Sequence, residues 1–175
     1  MKHTQYMVIN AVFAVILSCT QKTKQVNIPE IPSDWFVFET EDFVFYYPQD
    51  WEKRENMNGA VFCILSGLTS AGDLFRENVN LVTERLTKDI NLDKYTSLSL
   101  KKIDGKYKVK EKKKYIAGGQ EYYHVRFAGN DRLQIEQNYF VKDKKAYILT
   151  FTYESQESGK IKNEGDKIIG SFGFK

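Results

Sequence analysis

Few residues in this chain combine a reactive type with a useful spacing. His124 stands between Tyr123 and Val125 in a stretch that alternates apolar and polar residues, on its polar side. A metal centre needs three or four converging ligands, and neither a His-x-x-x-His nor a Cys-x-x-Cys spacing occurs. A Ser-His-Asp set would have to be assembled from distant positions, without a Gly-x-Ser-x-Gly elbow to expose the serine. Glu136 and Asp131 make no acid pair by spacing, and Gly118-Gly119 lacks the further glycines or lysine of a phosphate loop, so it reads as a hairpin bend. Cys63 lies within Val61-Phe62-Cys63-Ile64-Leu65, where apolar neighbours favour a buried thiol over a reactive thiolate. The expectation is no catalytic residue, no metal ligand and no cofactor. The chain is read as a non-enzyme, with a hydrolase built around His124 as the remaining alternative.

Charge offers a stronger lead. Lys106, Lys108, Lys110, Lys112 and Lys114 occupy alternate positions, so in an extended strand they share one face as a five-lysine ladder. Such a row attracts a polyanion or anionic headgroups at low ionic strength. It also guards an edge strand against pairing with another sheet. These five are the candidate anion-binding residues. The chain as a whole is near balance, 26 basic against 23 acidic residues, so no global field nominates nucleic acid as a partner.

Cys19 has a different chemistry. Lys2 and His3 precede an apolar run from Met7 to Leu17, broken by Asn10 and followed by Ser18-Cys19. The run is shorter than the roughly 20 residues a membrane-crossing helix needs, and it suits the apolar core of a cleaved signal. Ile16-Leu17-Ser18-Cys19 resembles the lipobox of bacterial lipoproteins, whose cysteine receives diacylglyceryl and becomes the new amino terminus. The reading is a signal peptide over 1–18, a tether over 19–33 and one domain over 34–175. The polar tether with Pro29 and Pro32 would hold that domain off a membrane. Two or more acyl chains give stable attachment where one is marginal. The expected location is the bacterial cell envelope, lipid-anchored and facing the periplasm or the surface. With Cys19 lipidated and Cys63 alone, the domain has no internal disulfide and depends on its core.

These residues are positioned by a predicted sheet. Tyr123, Val125 and Phe127, then Leu133, Ile135, Tyr139 and Val141, then Tyr147, Leu149, Phe151 and Tyr153 alternate with polar residues in three consecutive segments. They predict an antiparallel meander with one apolar face, turning at 128–131 and 142–145. Phe36 to Tyr47 reads as a hairpin about Glu39 to Asp42, ended by Pro48, with Trp51 as a core plug. Ala60 to Leu65, unbroken in its apolarity, predicts a central strand covered on both faces, and Asn78 to Leu86 another strand. Asn91 caps a helix whose packed face is Leu92, Tyr95, Leu98 and Lys102, ended by Asp104-Gly105. Lys160 to Ile169 predicts a second helix, weakened by Gly165, before a last extended segment, Ser171 to Phe174.

Several local words in this order resemble the PsbP-like family, which joins the extrinsic PsbP subunit of photosystem II to the Mog-type Ran-binding proteins and to many bacterial secreted proteins. They are Phe36-x-Phe38 through Phe43-x-Phe45-Tyr46-Tyr47-Pro48-x-x-Trp51, Glu77-Asn78-Val79-Asn80-Leu81, and the Leu92 to Leu100 helix. Gly119-Gln120-Glu121-Tyr122-Tyr123, Tyr147 to Thr152 and Ile168-Ile169-Gly170-Ser171-Phe172 complete the set. The resemblance implies an α+β fold: an α/β/α sandwich whose central, mostly antiparallel sheet carries helices on both faces. It also implies binding or assembly in place of catalysis. Plant members support a manganese cluster partly through histidines, and Mog-type members bind a small GTPase. Neither activity transfers to a chain without the matching histidines. The expected function is a monomeric binding or assembly module for another envelope protein or an anionic polymer. The alternative is a carrier or sensor of a small anionic, apolar or aromatic ligand, using Tyr122, Phe140 and Trp51.

Overall fold

The computed structural model describes residues 23–57, 59–128, 132–156 and 159–175. Cys19, the whole predicted signal segment and the turn residues Gly129, Asn130 and Asp131 lie outside the described residues. In chain order the elements are β1 (Lys24–Gln25), β2 (Phe36–Glu39), β3 (Phe43–Tyr47), β4 (Glu52–Glu55), β5 (Phe62–Leu65) and β6 (Asn78–Arg85). They continue with α1 (Leu92–Ile103), β7 (Lys108–Ala117), β8 (Gln120–Ala128), β9 (Leu133–Lys142), β10 (Lys145–Glu154), α2 (Lys160–Gly170) and β11 (Gly173–Phe174). Eight strands form one sheet in the order β1-β7-β8-β9-β10-β6-β5-β4, and three form a second in the order β11-β3-β2. Every pairing is antiparallel except β1 with β7.

The predicted meander is present as β8-β9-β10, but its apolar residues do not share one face. Tyr123 pairs with Tyr139, which keeps odd positions of β8 and β9 together. The turn after β9 has only two residues, so Lys142 pairs with Lys145 and Tyr139 with Ile148. Odd positions of β10 therefore point away from those of β9. Side chains sort into two cores accordingly. Tyr123, Val125, Phe127 and Tyr139 pack with Leu92 and Tyr95 of α1, whereas Tyr147, Leu149, Phe151 and Tyr153 pack with Ile168 and Ile169 of α2 and with the small sheet.

Three further expectations are corrected. On α1, Leu92, Tyr95 and Thr96 are buried while Leu98 is exposed; the helix turns its 92–96–103 side inward, and its Asn91 cap accepts from the Lys94 amide at 2.9 Å as expected. Strand β5 is buried but not central, since only β4, whose four residues are all charged and exposed, lies beyond it. The 23–33 segment does not stand free: β1 adds to β7, and the Val26 amide donates to the Ile116 carbonyl at 2.9 Å.

The small sheet is fastened to the body by rings and by one serine. Phe45 stacks on Phe62 with centroids 4.1 Å apart, and Phe43 lies 5.3 Å from Phe172. Ser171, just past α2, accepts from the Tyr46 amide at 3.0 Å and donates to the Ile168 carbonyl at 2.8 Å.

Candidate functional site

A cleft of about 850 Å³ lies where the 28–33 arm, the small sheet, the end of α2 and the β7–β8 hairpin meet. Tyr122, Phe140, Phe172 and Phe174 supply its aromatic floor. Tyr122 stacks on Phe140 at 5.2 Å between centroids, and Phe140 lies 5.0 Å from Phe172. Alternation puts Tyr122 and Phe140 on the sheet side opposite Tyr123 and Tyr139, which is why both are free to line this space. Burial pushes the Tyr122 phenol up to about 12.

The rim is polar. Lys142 donates to the Lys175 carbonyl at 2.7 Å and holds its ammonium 4.9 Å over the Phe174 ring. Asn138 is buried at the inner end, its Oδ1 2.9 Å from His124 Nδ1. The opposite wall is the arm: Ile28 sits against Gly118 and Pro29 against Gly170. Gly118 and Gly119 both have positive φ, 56° and 80°, so the tight bend that lets Ile28 approach is one that glycine adopts without strain.

Beneath the cleft, His124 belongs to a satisfied polar cluster. Its Nε2 lies 3.7 Å from Glu136 Oε2, and Glu136, nearly buried, also accepts from the Tyr153 hydroxyl at 2.7 Å and pairs with Lys162 at 3.5 Å. Lys162 in turn bonds Asp166 on α2. This ties the α2 surface to β9 and β10. His124 thus faces an amide and a carboxylate. Among the described residues there is no group of three or more His, Cys, Asp or Glu able to hold a metal ion.

The sequence-predicted residues separate. Tyr122 and Phe140 line the cleft, but Trp51 is buried elsewhere, its Nε1 donating to Glu164 at 2.9 Å. Cys63 is buried and burial pushes its thiol up, as an inert core thiol should be. The five lysines are not a one-faced ladder. Lys106 precedes β7, and a bulge between Val109 and Glu111 shifts the register, so Val109 faces Phe127 before it while Lys112 faces Val125 after it. Lys112 and Lys114 therefore share the Tyr123 side, lying 4.7 and 5.8 Å from its ring, and Lys108 points the other way. Lys114 is paired with Glu121 at 3.0 Å and Asp93 at 3.4 Å. The Tyr123 hydroxyl, donating to Asp93 at 2.7 Å, holds that carboxyl below its usual range. Residues of the cleft that sequence reasoning missed are Trp35, Asn138, Lys142 and the arm. Val26, Ile28 and Ile31, spaced through an otherwise polar segment, were the available signal for the arm.

No protein-family model matches the chain, and no curated protein is significantly similar to it. Among solved structures it is similar to the solution structure of cyanobacterial PsbP (CyanoP) from Synechocystis sp. PCC 6803, with a TM-score of 0.59 and 13% identity over 82% of this chain and 94% of that one. A crystal structure from Bacteroides thetaiotaomicron VPI-5482 matches with a TM-score of 0.45 and 14% identity, over 76% of this chain and 45% of that one; this chain thus spans less than half its length. The described residues fold as a PsbP-like α+β domain.

Proposed function

We propose that this PsbP-like domain is a non-enzymatic binding or assembly module of a bacterial envelope, anchored by lipid on Cys19, which receives an apolar or aromatic segment of a partner in the cleft beside its arm. The observation that carries the reading is the cleft itself: an aromatic floor of Tyr122, Phe140, Phe172 and Phe174 with Lys142 at its rim and Asn138 at its inner end. Apolar walls with a few placed polar groups are what ligand sites are built from. The division of apolar side chains between an α1 core and an α2 core supports an α/β/α layer order, with the helices on opposite faces of the large sheet. No helix among the described residues is long and apolar enough to cross a membrane; in this reading the anchor is the lipid on Cys19.

A second reading is favoured by the volume of the cleft, which lies within the roughly 300–1,000 Å³ of small-ligand sites. In that reading the protein carries a small apolar or aromatic compound. One experiment separates them. A photo-crosslinking residue placed at Trp35 or Phe174 should join the protein to one envelope component, while the same residue at exposed Leu98 on α1 should not. Native mass spectrometry of the protein extracted from its membrane should show no small adduct. A small adduct with no position-dependent crosslink favours the carrier; equal labelling at all three positions sinks the cleft as a site. For the anchor, Cys19→Ser should move the protein from salt-washed membranes to the soluble fraction, and a Cys19→Ser protein that stays on the membrane in high salt would refute it.

A further inference from the structure

We infer that the tip of the β7 edge, Lys106 to Lys110 with Lys112 beside it, seats on an anionic lipid surface, the same surface that the acyl chains of Cys19 enter. The inference rests on the anchor reading above and adds a second, reversible contact to it. Five consecutive residues, Lys106, Tyr107, Lys108, Val109 and Lys110, are all exposed, and Tyr107 and Val109 are large apolar side chains at 40% and 43% exposure. Among the described residues Lys106, Lys108 and Lys110 have no ion-pair partner, whereas Lys113 and Lys114 are held by Glu111 and by Glu121 and Asp93. Cations left unpaired around a tyrosine and a valine match a headgroup layer. Tyrosine rings favour that depth, lysine stems lie along apolar surface while their ammonium groups stay in the polar zone, and anionic lipid attracts each charge.

The bulge decides the shape of this surface. A straight ladder would line one side of the sheet and suit a rod-like polymer. With the register shifted at Lys110, Lys108 and Lys112 project to opposite sides of the sheet, so the strand presents its edge to a plane.

The arm brings that edge to the membrane. Because β1 is parallel to β7, with Lys24 opposite Tyr115 and Gln25 opposite Ile116, the chain enters β1 from the side on which Lys114 and then Lys110 lie. Cys19 is five residues before Lys24, a reach of at most about 17 Å. The five residues from Tyr115 back to Lys110 cover roughly the same length. The described chain thus enters the sheet from the end that carries the basic tip, and in this inference the anchor lies within that reach of it.

The test uses the mature chain carrying Cys19→Ser, so that no lipid contributes, sedimented with vesicles of phosphatidylcholine alone or mixed with phosphatidylglycerol. Binding to the mixed vesicles only, weakening with salt, is expected, with a loss of roughly fivefold for each of Lys108→Gln, Lys110→Gln and Lys112→Gln. Tyr107→Ser should weaken it further, and Lys101→Gln with Lys102→Gln on α1 should change it little. Equal binding to neutral vesicles, or an unchanged lysine triple variant, overturns the inference. Retention on an anionic polysaccharide without preference for anionic vesicles also overturns it, in favour of a polymer ligand. The anchor is read separately, from the mass of the wild-type amino terminus. An unmodified Cys19 sinks the anchor whatever the vesicles do.

Discussion

At the level of single residues, Gly165 shows how a local rule is reversed by packing. In an exposed helix, glycine costs about 1 kcal/mol relative to alanine, and on that ground the sequence reads it as a weak point in α2. In the structure a Cβ there would lie 2.1 Å from Phe151 Cζ, and Phe151 is fully buried. The helix approaches β10 over a bare backbone. Gly165→Ala should therefore destabilise the fold by about 1–3 kcal/mol through overpacking, seen as a lower urea midpoint with an unchanged m-value. Adding Phe151→Leu should recover part of the loss, and a stabilised Gly165→Ala protein would show that α2 does not sit this close. Cys63 was legible because its apolar neighbours announce burial directly, and Trp51 because a large aromatic ring just after a strand is most simply a core plug. Glycine has no side chain to announce what it touches, so its role was not.

At the level of elements, what was legible is each strand's own alternation, and what was not is the phase between strands. That phase depends on turn length. Asp143 and Lys144 form the two-residue turn between β9 and β10, both left-handed at φ 50° and 56°, and this turn sends Tyr147, Leu149, Phe151 and Tyr153 to the second core. The bulge at Lys110 is invisible for the same reason, since Lys-Val-Lys-Glu-Lys has no residue that demands it. Strand β4 was missed because Glu52-Lys53-Arg54-Glu55 has no apolar residue to alternate. It pairs with β5 all the same, and Arg76 links the two by bonding Glu52 at 2.5 Å and the Leu65 carbonyl at 3.2 Å; Arg54, 2.7 Å from Glu52, and Arg76 hold the Glu52 carboxyl down at about 2. The β9–β10 turn is open to test. A non-glycine residue in the left-handed region costs about 1–2 kcal/mol, of which glycine's extra unfolded-state freedom returns roughly half. Lys144→Gly is expected to stabilise the protein by about 0.5 kcal/mol, measured as a raised urea midpoint, whereas Lys144→Val should lower it.

At the level of the whole molecule, the arm turns a linker into part of the site, and this decides how far the domain stands from its anchor. Read as a free tether, the chain from Cys19 to Ser33 would reach up to roughly 48 Å. With β1 docked on β7, only the residues before Lys24 remain to span the gap. The docking is light: a two-residue strand, the Val26 amide on Ile116, and Ile28 and Pro29 against Gly118 and Gly170. Segments held by so few contacts open with little free energy. Val26→Pro removes the one amide that joins the arm to Ile116 beyond β1, and should release it. Cleavage by trypsin after Lys24 should then speed up several-fold, while amide exchange in β10 stays as slow as before, since the two cores are untouched. Crosslinking from Phe174 should fall in the same variant, because the wall formed by Ile28 and Pro29 leaves the cleft. If Lys24 is cut as fast in the wild-type protein as in Val26→Pro, the arm is not docked in solution, and both the cleft and the close seating on the membrane lose the element that builds them.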